Sequence, residues 1–104
     1  MGTEQKYKVC LQKAFNEDAL TVEEYVELDF TLRGILQDQF RLTESEAEIV
    51  LENARKGTVA IASYETADVA TTQMDNAEKL LGDTKLKIPV LRDEVFFISP
   101  TIIP

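Results

Sequence analysis

The stretch Gly57-Thr-Val-Ala-Ile-Ala-Ser-Tyr-Glu-Thr-Ala-Asp-Val-Ala-Thr-Thr-Gln-Met74 changes its periodicity once, and that change decides the fold. Thr58 to Ser63 is rich in small and β-branched residues, the composition of a strand. Thr66 then stands where a helix cap is needed, and the spacing predicts a helix over Ala67–Leu81, stopped by Gly82. The stretch therefore reads as strand, short turn and capped helix.

Upstream, the same signals recur. Thr43-Glu-Ser-Glu46 has capping-box spacing and opens a helix through Ala47, Val50, Leu51 and Ala54. Arg55 and Lys56 suit the negative end of that helix, and Gly57 is expected to end it as a left-handed residue. Before it, Thr21 with Glu24 forms another capping box. The helix it starts carries Tyr25, Leu28, Leu32, Ile35, Leu36 and Phe40 at helical spacing. Gly34 weakens that helix by roughly 1 kcal/mol relative to Ala and is expected to mark a close approach or a kink. The two helices meet at Arg41-Leu42 in a tight joint. Residues 14–20 read as a loop. Residues 6–13 alternate, with Tyr7, Val9 and Leu11 on one face and Lys8, Cys10 and Gln12 on the other, and predict a half-buried strand. Residues 1–5 are polar and expected to fray.

Downstream, Leu86, Ile88 and Val90 alternate with Lys85, Lys87 and Pro89, which predicts a third strand over Lys85–Leu91, at an edge because Pro89 cannot donate to a ladder. The element order is strand-helix-helix-strand-helix-strand. It predicts an α+β, two-layer sandwich: a three-stranded antiparallel sheet with helices on one face. Residues 1–104 form a single domain, with a core over 6–91 and an apolar tail over 92–104. That tail, Val95-Phe-Phe-Ile-Ser-Pro-Thr-Ile-Ile-Pro104, is expected to pack as an extended segment on its own domain. The sharper reading makes it a contact with another chain, a route to a homo-oligomer.

Composition narrows the function. The 104 residues carry a net charge of −8, which argues against a diffuse basic surface for nucleic acid and allows a basic partner. No histidine is present, so the commonest general base, metal ligand and nucleophile partner are missing, and a non-enzyme is the expectation. No apolar run reaches the ~18 residues of a membrane span. The start Met-Gly-Thr-Glu-Gln-Lys lacks the apolar segment of a signal peptide. The lone Cys10 excludes an internal disulfide framework and makes a reduced, cytoplasmic setting the default. Lys8, or Lys87 were its strand to pair there, would lower the Cys10 thiol pKa, but a buried inert cysteine is the simpler reading.

Several short runs together resemble one family. Gly57, Ala60-Ile61, then Thr66-Ala67-Asp68-Val69-Ala70 followed by Thr72 are similar to the glycine, Ala-Ile strand and Thr-Ala-Glu-Val-Ala helix start of ClpS adaptors. Tyr7-Lys8-Val9 resembles that family's Tyr-Lys-Val, Asn16-Glu17-Asp18 its Asn-Asp-Asp loop, and Thr21 its threonine before the first helix. The element order is shared with ClpS and with the C-terminal domain of the ribosomal stalk protein, and the residues favour ClpS. ClpS adaptors bind a protein's N-terminal residue and deliver that protein to a Clp-type ATPase for degradation.

The resemblance implies a non-enzymatic, protein-binding role without cofactor or metal. Asn16, Glu17 and Asp18 would accept hydrogen bonds from a substrate α-amino group, as a cation requires of an amide carbonyl and carboxylates. Thr21, Val22, Val50 and Ala54 would line the neighbouring pocket, with Tyr25 and Val26 close by. Asp68 and Gln73 would face the N-domain of the ATPase. Val50 and Ala54 stand where the family has a methionine and a histidine, Gln73 replaces a lysine, and the loop and first helix are longer than the family's. The alternative is a diverged ClpS-like module with a different protein partner and no N-terminal-residue recognition. A carboxylate-based or metal-dependent enzyme is a minor alternative, resting on Glu17/Asp18, Glu23/Glu24 and Glu44/Glu46/Glu48. Glu46 does not share a helix face with Glu44 or Glu48, and no EF-hand or phosphate-loop spacing occurs.

Overall fold

Alternation at the start of the chain builds the middle of the sheet. The computed structural model describes residues 4–12, 20–91 and 95–103, with side chains described for 6–12, 20–91 and 95–100. Its elements run β1 (Glu4–Leu11), α1 (Val22–Asp38), α2 (Glu44–Lys56), β2 (Val59–Tyr64), α3 (Ala67–Lys87) and β3 (Phe96–Ile103). The class is α+β: a three-stranded antiparallel sheet of order β2-β1-β3, with the helices on one face. Glu4 and Gln5, expected to fray, belong to β1 because Ile103 and Ile102 of β3 pair with them.

β1 is paired along both sides. Val9 meets Ala62 of β2 and Ile98 of β3, and Leu11 meets Val59 and Phe96. Val9, Leu11 and Phe96 are fully buried under the helices. The register with β2 shifts between Val9 and Cys10, whose partners are Ala62 and Ala60, so Ile61 is the extra residue of a bulge.

The two capping boxes form as the sequence predicts. Thr21 Oγ1 accepts from the Glu24 N–H at 3.1 Å while Glu24 Oε1 accepts from the Thr21 N–H at 2.9 Å. Thr43 and Glu46 repeat the pattern at 3.1 and 3.0 Å. Thr66 caps α3 through the Val69 N–H at 3.2 Å. The α1–α2 joint is tight: the Leu42 N–H donates to the Leu36 carbonyl at 3.0 Å, and Arg41 takes φ 60°. Gly57, expected to be left-handed, has φ 170° and ψ −154°, an extended conformation that leads straight into β2. Gly34 marks no close approach: a Cβ there would meet nothing within 4 Å.

The largest correction concerns the end of the chain. The strand predicted over Lys85–Leu91 does not form, because α3 runs through Gly82 to Lys87. Ala70, Ala77, Leu81, Thr84 and Ile88 recur at helical spacing and are all buried, so the helical stripe simply continues. Burying Leu81 and Ile88, worth about 1.5–3 kcal/mol each, outweighs a mid-helix glycine costing about 1 kcal/mol. Leu86 of the apparent alternation is 83% exposed. Pro89 lies in a turn after the helix, closed by the Leu91 N–H donating to the Ile88 carbonyl at 3.0 Å. The third strand is instead the apolar tail. Phe96–Ile103 packs on its own domain as β3, so the core extends beyond residue 91 and includes Val95 and Phe96.

One side chain of α3 reinforces the start of β3. Glu78 Oε1, on α3, accepts from the backbone N–H groups of Val95 at 2.6 Å and Phe96 at 2.8 Å. The other oxygen of that carboxylate lies 2.7 Å from Lys85 Nζ. The Gln12 N–H donates to the Val95 carbonyl at 2.9 Å, closing the β1 side of the same corner. Phe96 then stacks at a tilt against Phe40, 5.9 Å between centroids, which ties the end of α1 to the sheet.

Candidate pocket at the start of helix α1

α1 lies between its two neighbours and holds each by polar contacts along its flanks. Toward α3, Glu27 meets Lys87 at 3.0 Å, Thr31 and Thr84 share a hydroxyl–hydroxyl bond of 3.0 Å, and Gln39 Nε2 donates to Gln73 Oε1. Toward α2, Asp29 receives Arg55 at 3.9 Å while also holding Arg33 at 3.2 Å. Leu28, Leu32, Ile35 and Leu36 point between these flanks into the core.

On the α2 side, the first turn of α1 opens a pocket of about 280 Å³ lined by Leu20, Thr21, Val22, Tyr25 and Arg55. Three of its five residues are apolar or aromatic. Arg55 supplies its charge and stacks over the Tyr25 ring, with Cζ 5.2 Å from the centroid. The guanidinium is incompletely used. Its contacts to Glu52 and Asp29 are 3.5 and 3.9 Å, and its Nε is buried with no hydrogen-bond partner among the described residues. A buried donor left unpaired costs about 1–3 kcal/mol. Beneath the Tyr25–Arg55 pair lies a narrower crevice between α1 and α2, lined by Leu28, Asp29, Leu32, Leu51 and Ala54.

The residues singled out in the sequence fall in four places. Thr21 and Val22 line the pocket, and Val22 is 80% exposed. Asn16, Glu17 and Asp18 lie outside the described residues. Ala54 is 1% exposed, on the inner face of α2, and reaches only the crevice. Val50 is half-buried and packs on the core. Asp68 is exposed in the first turn of α3, whereas Gln73 is tied to Gln39 of α1. The structure thus brings Thr21 and Val22 together and keeps Asp68 and Gln73 apart from them.

Arg55 and Leu20 are the lining residues that sequence reading passed over. Arg55 had a sufficient explanation as a helix-end cation, and nothing in its spacing tells which side of α2 meets the start of α1. Cys10 has no part in this site. It is buried on β1, and burial pushes its thiol pKa up, with Lys8 pulling only partly in the other direction. Lys87, on α3 rather than a strand, is bonded to Glu27. Among the described residues, no three Cys, Asp or Glu side chains are grouped as metal ligands would be, and no helix is long and apolar enough to cross a membrane.

No protein-family model matches the chain, no curated protein matches it, and no solved structure matches its fold.

Proposed function

We propose that this chain is a ClpS-like adaptor: a non-enzymatic module that binds a protein segment at the start of α1 and delivers it to a Clp-type ATPase. The observation that carries this reading is the pocket of Leu20, Thr21, Val22, Tyr25 and Arg55, which combines apolar walls with the partly exposed guanidinium of Arg55. A peptide offers both complements, an apolar side chain and a backbone carbonyl. The element order, the same as in ClpS, supports the reading further. In this scheme the Asn16-Glu17-Asp18 loop accepts the substrate's α-amino hydrogen bonds, the pocket takes its first side chain, and exposed Asp68 contributes to the ATPase-facing surface.

One observation favours the second reading, a diverged module with a different protein partner. Arg55 puts a cation at the pocket, and a substrate ammonium is repelled by it unless the loop carboxylates come closer. Titration with short peptides bearing a free N-terminal Leu, Phe or Tyr, against acetylated copies, separates the two. Saturable binding of the free-amine peptides alone is the expected result. Equal binding of acetylated peptides favours the diverged module, and no binding of any peptide overturns the pocket as a peptide site. Capture of a Clp ATPase N-domain, lost on Asp68→Lys, tests the delivery step separately.

A further inference from the structure

The sheet has two open edges, and they differ in kind. β3 carries Pro100 opposite Tyr7, so a residue without an N–H sits in the middle of that edge strand. β2 has a bulge at Ile61 but no proline. Its six residues, Val59-Ala-Ile-Ala-Ser-Tyr64, include no charge, no proline and no glycine. Among the described residues only β1 pairs with it. Every second residue of an antiparallel strand turns its N–H and C=O away from its one neighbour, so β2 presents an unpaired row of donors and acceptors. Ala60 and Ser63 are exposed and small, and leave room for an adjoining strand.

The charges flanking β2 select the occupant. Lys56 precedes the strand, and Glu65 and Asp68 follow it; all three are exposed, with Glu65 3.8 Å from Lys6 of the same chain. The edge is therefore basic at one end, neutral along its length and acidic at the other. An identical strand laid antiparallel puts the basic end of each copy against the acidic end of the other, twice over. A parallel copy puts like charges together, which is destabilising.

We infer that β2 is the self-association surface of this protein: two copies pair antiparallel through Val59–Tyr64 about a two-fold axis. The two sheets become one sheet of six strands with all helices on the same side. The contact is isologous and closes on itself, as a two-fold interface must. It does not involve the pocket at the start of α1 and stands or falls independently of the peptide-binding role.

Sedimentation equilibrium over a range up to high micromolar, in about 0.15 M salt, tests it. At that ionic strength charges separated by more than ~8 Å are largely screened, so the net repulsion between two acidic copies is damped while close pairs persist. The expected mass is twice the 11.7 kDa of one chain at the upper end, falling on dilution. Ala60→Lys, a charge on the edge, weakens the dimer about tenfold or more by the rule that edge lysines block pairing. Lys56→Glu weakens it by about threefold to tenfold, the scale of two exposed ion pairs, and Lys56→Glu with Glu65→Lys restores it. Circular dichroism checks that each variant is folded, and Lys56 and Glu65, both exposed, supply the test if Ala60→Lys does not fold. A monomer throughout the range overturns the inference. So does a dimer indifferent to Ala60→Lys, or a double charge swap no tighter than Lys56→Glu alone.

Discussion

Glu46 shows how much one exposed carboxylate does when it is aimed at a helix start. The Thr43 backbone N–H, and then its hydroxyl, hold the Glu46 carboxyl below its ordinary pKa. A carboxylate whose pKa is depressed by folding adds stability that is present above its unfolded pKa and is lost as pH falls through the folded one. Glu46→Gln keeps an oxygen that accepts from the Thr43 N–H but removes the titration. The gap in melting temperature between wild type and Glu46→Gln should therefore be open at pH 7 and narrow by about pH 3, below the usual carboxylate range. A gap of constant size at both pH values would refute this. Thr43→Ala removes the other half of the box and should cost about 1 kcal/mol at neutral pH. Both residues were legible in the sequence because a capping box is a local device: its two partners are three residues apart, and nothing distant is needed to place them.

At the scale of elements, Glu78 is the counter-example. It lies on α3 with no motif around it, yet it accepts two backbone N–H groups where β3 begins and pairs with Lys85. Glu78→Ala leaves two part-buried donors without partners, at about 1–3 kcal/mol each, and so should cost roughly 2–6 kcal/mol in a chemical denaturation series. A loss under about 0.5 kcal/mol, the scale of an ordinary surface substitution, would show that β3 docks without it. The third strand was misplaced in the sequence for a related reason. Leu86-Lys-Ile-Pro-Val90 alternates over a short run, but the helical stripe through Leu81, Thr84 and Ile88 spans the same residues and buries more. Pro100 is accepted within β3 because β3 is an edge strand. The candidate site was legible only where it is local to the first cap, at Thr21 and Val22. Arg55 reaches it from another helix, and chain spacing carries no information about that meeting.

For the whole molecule, charge is the dominant long-range term. The chain holds 11 basic and 19 acidic side chains, net −8. Among the described residues several ion pairs are long, such as Lys6–Glu65 at 3.8 Å and Arg55–Asp29 at 3.9 Å, and surface pairs contribute ~0–1 kcal/mol each. Self-repulsion of the acidic surface opposes the compact state, and salt screens it over about 10 Å at 0.1 M. Raising salt from about 0.01 to 0.3 M, across which the screening length falls several-fold, should lift the melting temperature by a few degrees. A fall would mean that the ion pairs outweigh the repulsion.

The central place of β1 governs when this protein can fold. β1 pairs residue 11 with residue 96 and residue 4 with residue 103, so its second neighbour lies at the far side of three helices in the chain. Such pairings repay their loop-closure entropy late, and the strands involved wait longest for their partners. During synthesis the segment carrying Val9 and Leu11 leaves the ribosome before residues 96–103, and it stays open along one side until they have emerged. Completion of the sheet therefore waits for β3, and in the interval the open edge of β1 is a part of the nascent chain in need of shielding.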